Sequence, residues 1–105
     1  MNGDRAAWNL YWATFAVLVI ALAGFFAAGG TGILWGLAVA APLFAAGLNL
    51  VLRSAAHSRV CAIEVERHAW LRTLTMGGYR QRTFFTRGVL EIVAAIALGA
   101  WIAAR

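Results

Sequence analysis

Three long apolar runs set the pattern of this chain, separated first by a glycine-rich break and then by a basic stretch. From Ala6 to Leu52 the only ionisable side chain is Tyr11, and from Gly88 to Ala104 the only charge is Glu91. Between them lie seven arginines (Arg53, Arg59, Arg67, Arg72, Arg80, Arg82, Arg87), with only Glu64 and Glu66 against them. A helix of about 20 apolar residues is what the hydrocarbon core of a bilayer requires. The pattern therefore predicts an all-α integral membrane protein, one domain over 1–105. Its three transmembrane helices fall at about 8–28, 33–52 and 84–104, with a basic connector over 53–83.

Local signals sharpen this reading. Trp8, Tyr11 and Trp12 cluster at the head of the first run, where rings with one polar edge suit the headgroup level. That run is too long for the apolar region of a cleavable signal, so it reads as a span. Gly29-Gly30-Thr31-Gly32 ends it and predicts a tight hairpin into the second span, since clustered glycines favour turns. Pro42 sits mid-span, where it removes a backbone donor and predicts a kink.

Within the connector the composition predicts a helix from Arg59 to Met76. At 100° per residue, Val60, Ile63, Trp70, Leu71 and Leu74 share one face, making the helix amphipathic and suited to lie along a membrane surface. Gly77-Gly78 ends it. The residues left before Phe84 reach about 20 Å, short of the about 35 Å that a straight extension of span two would have to climb back. A bend between Arg53 and Ser58, or a return helix that begins before the bilayer, is expected.

Composition agrees with membrane class. Hydrophobic residues make up 63% of the chain, against about 45–50% in soluble domains, and a soluble protein this small could not bury so much apolar surface. The formal charge of +5 comes from arginine alone, with no lysine. With the abundance of alanine and glycine, this suggests a bacterial genome rich in GC. No groove-reading motif accompanies the charge, which argues against nucleic acid. The positive-inside bias instead places the connector and the N-terminus in the cytoplasm, and the C-terminus in the periplasm. The single cysteine excludes a disulfide within the chain.

Candidate chemistry is sparse. His57, Cys61, Glu64 and His68 follow at spacings of 4, 3 and 4, one helical stripe that invites a metal reading. His57 and His68 would lie about 16 Å apart, so neighbours supply at most half a site. The plainer reading is a solvated polar face with a Glu64–His68 pair. No predicted span contains a histidine, which disfavours haem or bacteriochlorophyll, and no cofactor is expected. Glu91, one or two turns inside the third span, is costly there and needs a partner. Arg87, four residues earlier, and Arg67, within the apolar face of the connector helix, are the expected clamps. Arg53, Arg59, Arg72, Arg80, Arg82 and Trp70 are expected to touch anionic phospholipid headgroups or partner proteins. Small residues recur every fourth position at Gly32, Gly36 and Ala40, at Ala95, Gly99 and Ala103, and at Gly24 and Ala28, which permits close helix approach. Asn49 suits a helix–helix hydrogen bond.

No nucleophile elbow, phosphate loop or paired-carboxylate motif is present. The expected function is therefore a small non-catalytic accessory or structural subunit of a larger bacterial inner-membrane complex of respiratory, photosynthetic or secretion type. It would stabilise assembly by packing against other integral membrane subunits and lipid. The alternative is a homo-oligomeric transporter, channel or holin-like pore that uses Glu91.

Overall fold

The computed structural model describes residues 2–68, 70 and 80–105. Four helices account for most of them: α1 (Asn2–Ala28), α2 (Ile33–Leu52), α3 (Ser54–Arg67) and α4 (Gln81–Ala104). Three of these, α1, α2 and α4, are long and apolar enough to cross a membrane. The chain is 42 Å along its longest axis and about half as wide. Two helices start earlier than hydropathy alone suggests: α1 at Asn2 before Trp8, and α4 at Gln81 before Phe84. Helical hydrogen bonding extends ahead of the apolar run, because charged side chains at a helix end carry no helical penalty comparable to glycine or proline.

The α1–α2 hairpin closes as the glycines suggest. Gly29 takes the left-handed conformation at φ 61°, and the Gly30 amide donates to the Phe25 carbonyl at 3.1 Å. That is a Schellman C-cap, in which an amide two residues past the helix satisfies an otherwise orphaned carbonyl. The Gly32 amide bonds the Ile102 carbonyl at 3.3 Å and ties this loop to the far end of α4. Helix α2 runs unbroken through Pro42.

Helices α2 and α4 form the most intimate pair and run antiparallel. A Cβ on Gly36 would sit 2.7 Å from the Gly99 carbonyl oxygen, and one on Gly47 would sit 2.7 Å from that of Gly88. The stripes at Gly36, Ala40, Ala95 and Gly99 thus meet each other, and Gly47 and Gly88 extend the seam. Helix α1 packs on this pair through Leu18 and Phe25, which join Val39 and Ile102 in one buried cluster, with Trp35 against it. A second cluster (Tyr11, Ala46, Leu50, Cys61, Val65 and Phe84) fills the opposite end, where α3 closes over the bundle.

Arg53 breaks the helical path at φ −120°, ψ 31°, so the expected bend falls there. From it α3 folds back to touch α1, α4 and α2. Its inward face differs from the apolar face drawn from the sequence. His57, Val60, Cys61, Glu64 and Val65 are buried, whereas Ile63 is 53% exposed and Trp70 56%. Of the stripe expected to be a solvated polar face, His57, Cys61 and Glu64 are packed inward, while His68 stays exposed and pairs with Glu64 as expected. Expectations for Leu71, Arg72, Leu74, Met76 and Gly77-Gly78 lie outside the described residues.

Candidate functional site at the α3 end of the bundle

The early start of α1 carries Asp4 and Arg5 alongside α3, and each finds an opposite charge there. Arg59 grips Asp4 with two donors, Nε to Oδ2 at 2.7 Å and Nη2 to Oδ1 at 3.0 Å. Arg5 Nη1 donates to Glu64 Oε1 at 2.6 Å, while His68 Nε2 approaches Glu64 Oε2 at 3.6 Å. Bidentate arginine–carboxylate pairs fix orientation as well as proximity. Both carboxylates are 8% exposed, while the arginines reach into solvent. The pairs therefore act chiefly by registering α3 against α1, and losing an arginine would strand a carboxylate. The hydrogen bond from Arg5 holds the Glu64 carboxyl below the usual carboxylate range.

Beneath these pairs lies an uncharged layer. Asn49 Nδ2 donates to the Ala7 carbonyl at 3.2 Å, and Asn49 Oδ1 lies 2.9 Å from His57 Nε2. Because the amide nitrogen is engaged with a carbonyl, the oxygen must face the imidazole, so Nε2 carries the hydrogen and donates. The ring is held among aromatic side chains, with centroids at 5.5 Å to Tyr11, 5.9 Å to Phe84 and 6.1 Å to Trp8. Burial, reinforced by the charges of Arg53 and Arg87, pushes His57 down to about 4, so it is neutral at pH 7. In that tautomer Nδ1 is a bare acceptor, and it is buried without a protein partner.

One layer deeper, Tyr11 donates its hydroxyl to Glu91 Oε1 at 2.8 Å. Glu91 Oε2 is buried without a hydrogen-bond partner among the described residues. The donor to Glu91 is Tyr11 and neither of the two expected arginines. Arg87 lies over the Phe84 ring, 6.0 Å from its centroid, and forms no ion pair with Glu91 among the described residues. Arg67 is exposed at the last position of α3, outside the packed face where a clamp would require it.

The remaining candidates separate. Cys61 is fully buried, and burial pushes its thiol above the ordinary value. Of His57, Cys61, Glu64 and His68, only Glu64 and His68 bring polar atoms together, at 3.6 Å, while His57 bonds Asn49 and Glu64 also bonds Arg5. No group of three histidine, cysteine or acidic side chains gathers among the described residues. Arg53 reaches back to donate Nη2 to the Gly3 carbonyl at 3.2 Å. Arg80 caps the N-terminus of α4, and both it and Arg82 are exposed. Trp70 stands beside His68 with ring centroids 6.3 Å apart. Arg72 lies outside the described residues.

The contributions of Asp4, Arg5 and Tyr11 were not foreseen from sequence. The available signal was Asp4 and Arg5 preceding an apolar run, with a tyrosine facing the same way two turns later. Comparison of the chain with protein-family models, curated proteins and solved structures finds no match. Function must be reasoned from this geometry.

Proposed function

We propose that the chain is a three-span protein of the bacterial inner membrane, with its N-terminus and α3 cytoplasmic and its C-terminus periplasmic. In this reading it serves as a non-catalytic accessory subunit that stabilises a larger membrane complex. The observation that carries the reading is where the polar side chains go. Asp4, Arg5, Asn49, His57, Arg59 and Glu64 bond within the chain and lock α1, α2 and α3 together, and Glu91 bonds Tyr11 and ties α4 to α1. The outward faces of the long helices are apolar, with Leu34 82%, Phe26 75% and Ile96 63% exposed. Side chains spent on internal order and faces left apolar suit a packing role better than turnover.

A shallow apolar groove of about 280 Å³ between α2 and α4, lined by Ile33, Leu37, Ala40, Ala95, Ile96 and Gly99, offers a seat for a neighbouring span. Photo-crosslinking residues at Leu37 and Ile96 in native membranes test this. Adducts of discrete mass containing an unrelated membrane protein are expected. Adducts with lipid alone would contradict the accessory reading.

One observation favours the second reading, a homo-oligomeric pore. Glu91 keeps a buried oxygen without a partner among the described residues, and an incompletely satisfied carboxylate within a span suits proton or ion handling. Proton flux through reconstituted vesicles that disappears in Glu91→Gln, with oligomer size unchanged, would establish that reading in place of the first.

A further inference from the structure

A second groove, of about 480 Å³, runs between α1 and α2 on the side away from α4. Its walls are Ala6, Leu10, Ala45, Leu48 and Leu52, and its mouth is closed by Gly3, Asn49 and Arg53. Small alanine side chains on both helices open the channel, and exposed leucines extend its sides (Leu10 58%, Leu52 70%). An apolar slot between two spans accepts an alkyl chain. The cation at its mouth decides what that chain must carry.

The arginine side chains at this end of the bundle differ in how they are matched. Arg59 has Asp4 and Arg5 has Glu64. Arg53 has no carboxylate partner among the described residues. One of its N–H groups is held by the Gly3 carbonyl, which orients the guanidinium across the groove's mouth. A guanidinium carries five donors in a fixed fork that suits phosphate oxygens. Its position immediately after the last residue of α2 is the level at which an acyl chain gives way to its headgroup.

We propose that this groove is a binding site for one anionic phospholipid, with an acyl chain between α1 and α2 and the phosphate on the Arg53 guanidinium. Occupancy would fill the slot beside the Asn49–Ala7 contact and seal α1 against α2 at the end where α3 docks. The inference rests on the chain's lying in a bilayer, but not on its having protein partners, so it stands or falls separately from the accessory role.

The test is native mass spectrometry of the full chain released from nanodiscs of equal parts phosphatidylglycerol and phosphatidylcholine. One retained phosphatidylglycerol is expected, favoured over phosphatidylcholine by at least about fivefold, the weight of one cationic side chain near an anionic surface. Arg53→Gln, which keeps a donor for Gly3, should abolish the preference, and Arg53→Lys should retain most of it. Ala45→Leu should reduce retention of both lipids, while Arg82→Gln should change nothing. Equal retention of the two lipids, an equal loss on Arg82→Gln, a co-purifying polypeptide that displaces the lipid, or failure of the chain to enter nanodiscs would each overturn the proposal. The last of these would also remove the membrane reading, whereas the first two would leave it intact.

Discussion

The Tyr11 hydroxyl donates to Glu91 Oε1 at 2.8 Å, joining residues 80 positions apart and fixing α1 to α4. Neither residue satisfies itself. A phenol and a carboxylate inside spanning helices both lose water, and each supplies what the other needs. Tyr11→Phe removes the donor and leaves Glu91 with no bonded oxygen. A loss of about 1–2 kcal/mol in reversible unfolding in detergent is expected. Combined with Glu91→Gln in a double-mutant cycle, the pair should show a coupling of about 1 kcal/mol. Additive effects would mean that the contact contributes nothing.

Stability should fall on acidification because of His57. Its folded pKa of about 4 lies below the ordinary value of 6.5, with burial the chief cause. The unfolded chain therefore binds a proton that the folded chain refuses between these values. The stabilisation is full above about pH 6.5 and is lost as pH falls toward 4, by at most about 3 kcal/mol. His57→Gln keeps a donor for Asn49 but does not titrate. It should flatten the unfolding curve between pH 6.5 and 4.5. An unchanged slope would place the titration elsewhere.

The α2–α4 seam tolerates no added methyl group at its closest points. A Cβ on Gly88 would lie 2.6 Å from the Gly47 carbonyl oxygen, and one on Gly36 2.7 Å from that of Gly99. Backbone cannot move aside cheaply, so Gly88→Ala and Gly36→Ala should each cost about 1–3 kcal/mol. Gly24→Ala meets only the Trp35 ring at 3.4 Å and should be nearly neutral. Thermal shifts of the three variants in the same detergent check this order.

Cys61 should resist thiol reagents in the folded protein. It is fully buried on the inward face of α3, and burial disfavours the reactive thiolate. Maleimide labelling at pH 7 should rise by more than about tenfold when Asp4→Asn and Glu64→Gln together release α3 from α1. Rapid labelling of the unaltered chain would show that α3 does not stay docked.

Much of the architecture was legible because bilayer-length apolar runs leave few alternatives. The runs to Ala28 and Leu52 and the run ending at Ala104 marked three helices, and Gly29-Gly30 marked the hairpin. The stripe at Gly36 and Ala40 and that at Ala95 and Gly99 were visible but not their mutual pairing, and Gly47 and Gly88 fell outside a strict four-residue repeat. The site was harder to read. Arg87, four residues from Glu91, is the obvious partner by sequence, yet the hydrogen bond comes from Tyr11, whose long phenol reaches across from α1. The inward face of α3 is legible at Val60 but not beyond it. Hydrophobicity pointed to Ile63, whereas burial follows His57 and Glu64, whose partners Asn49 and Arg5 lie on other helices. Periodicity records which residues avoid water, but not which polar residues find each other.

The accessory role is tested most directly by association. The tagged chain would be purified in mild detergent from its native membrane and everything retained with it weighed by native mass analysis. Stoichiometric unrelated membrane subunits are the expected result. A discrete oligomer of this chain alone, or the isolated monomer, would contradict the accessory role and turn attention to flux through Glu91.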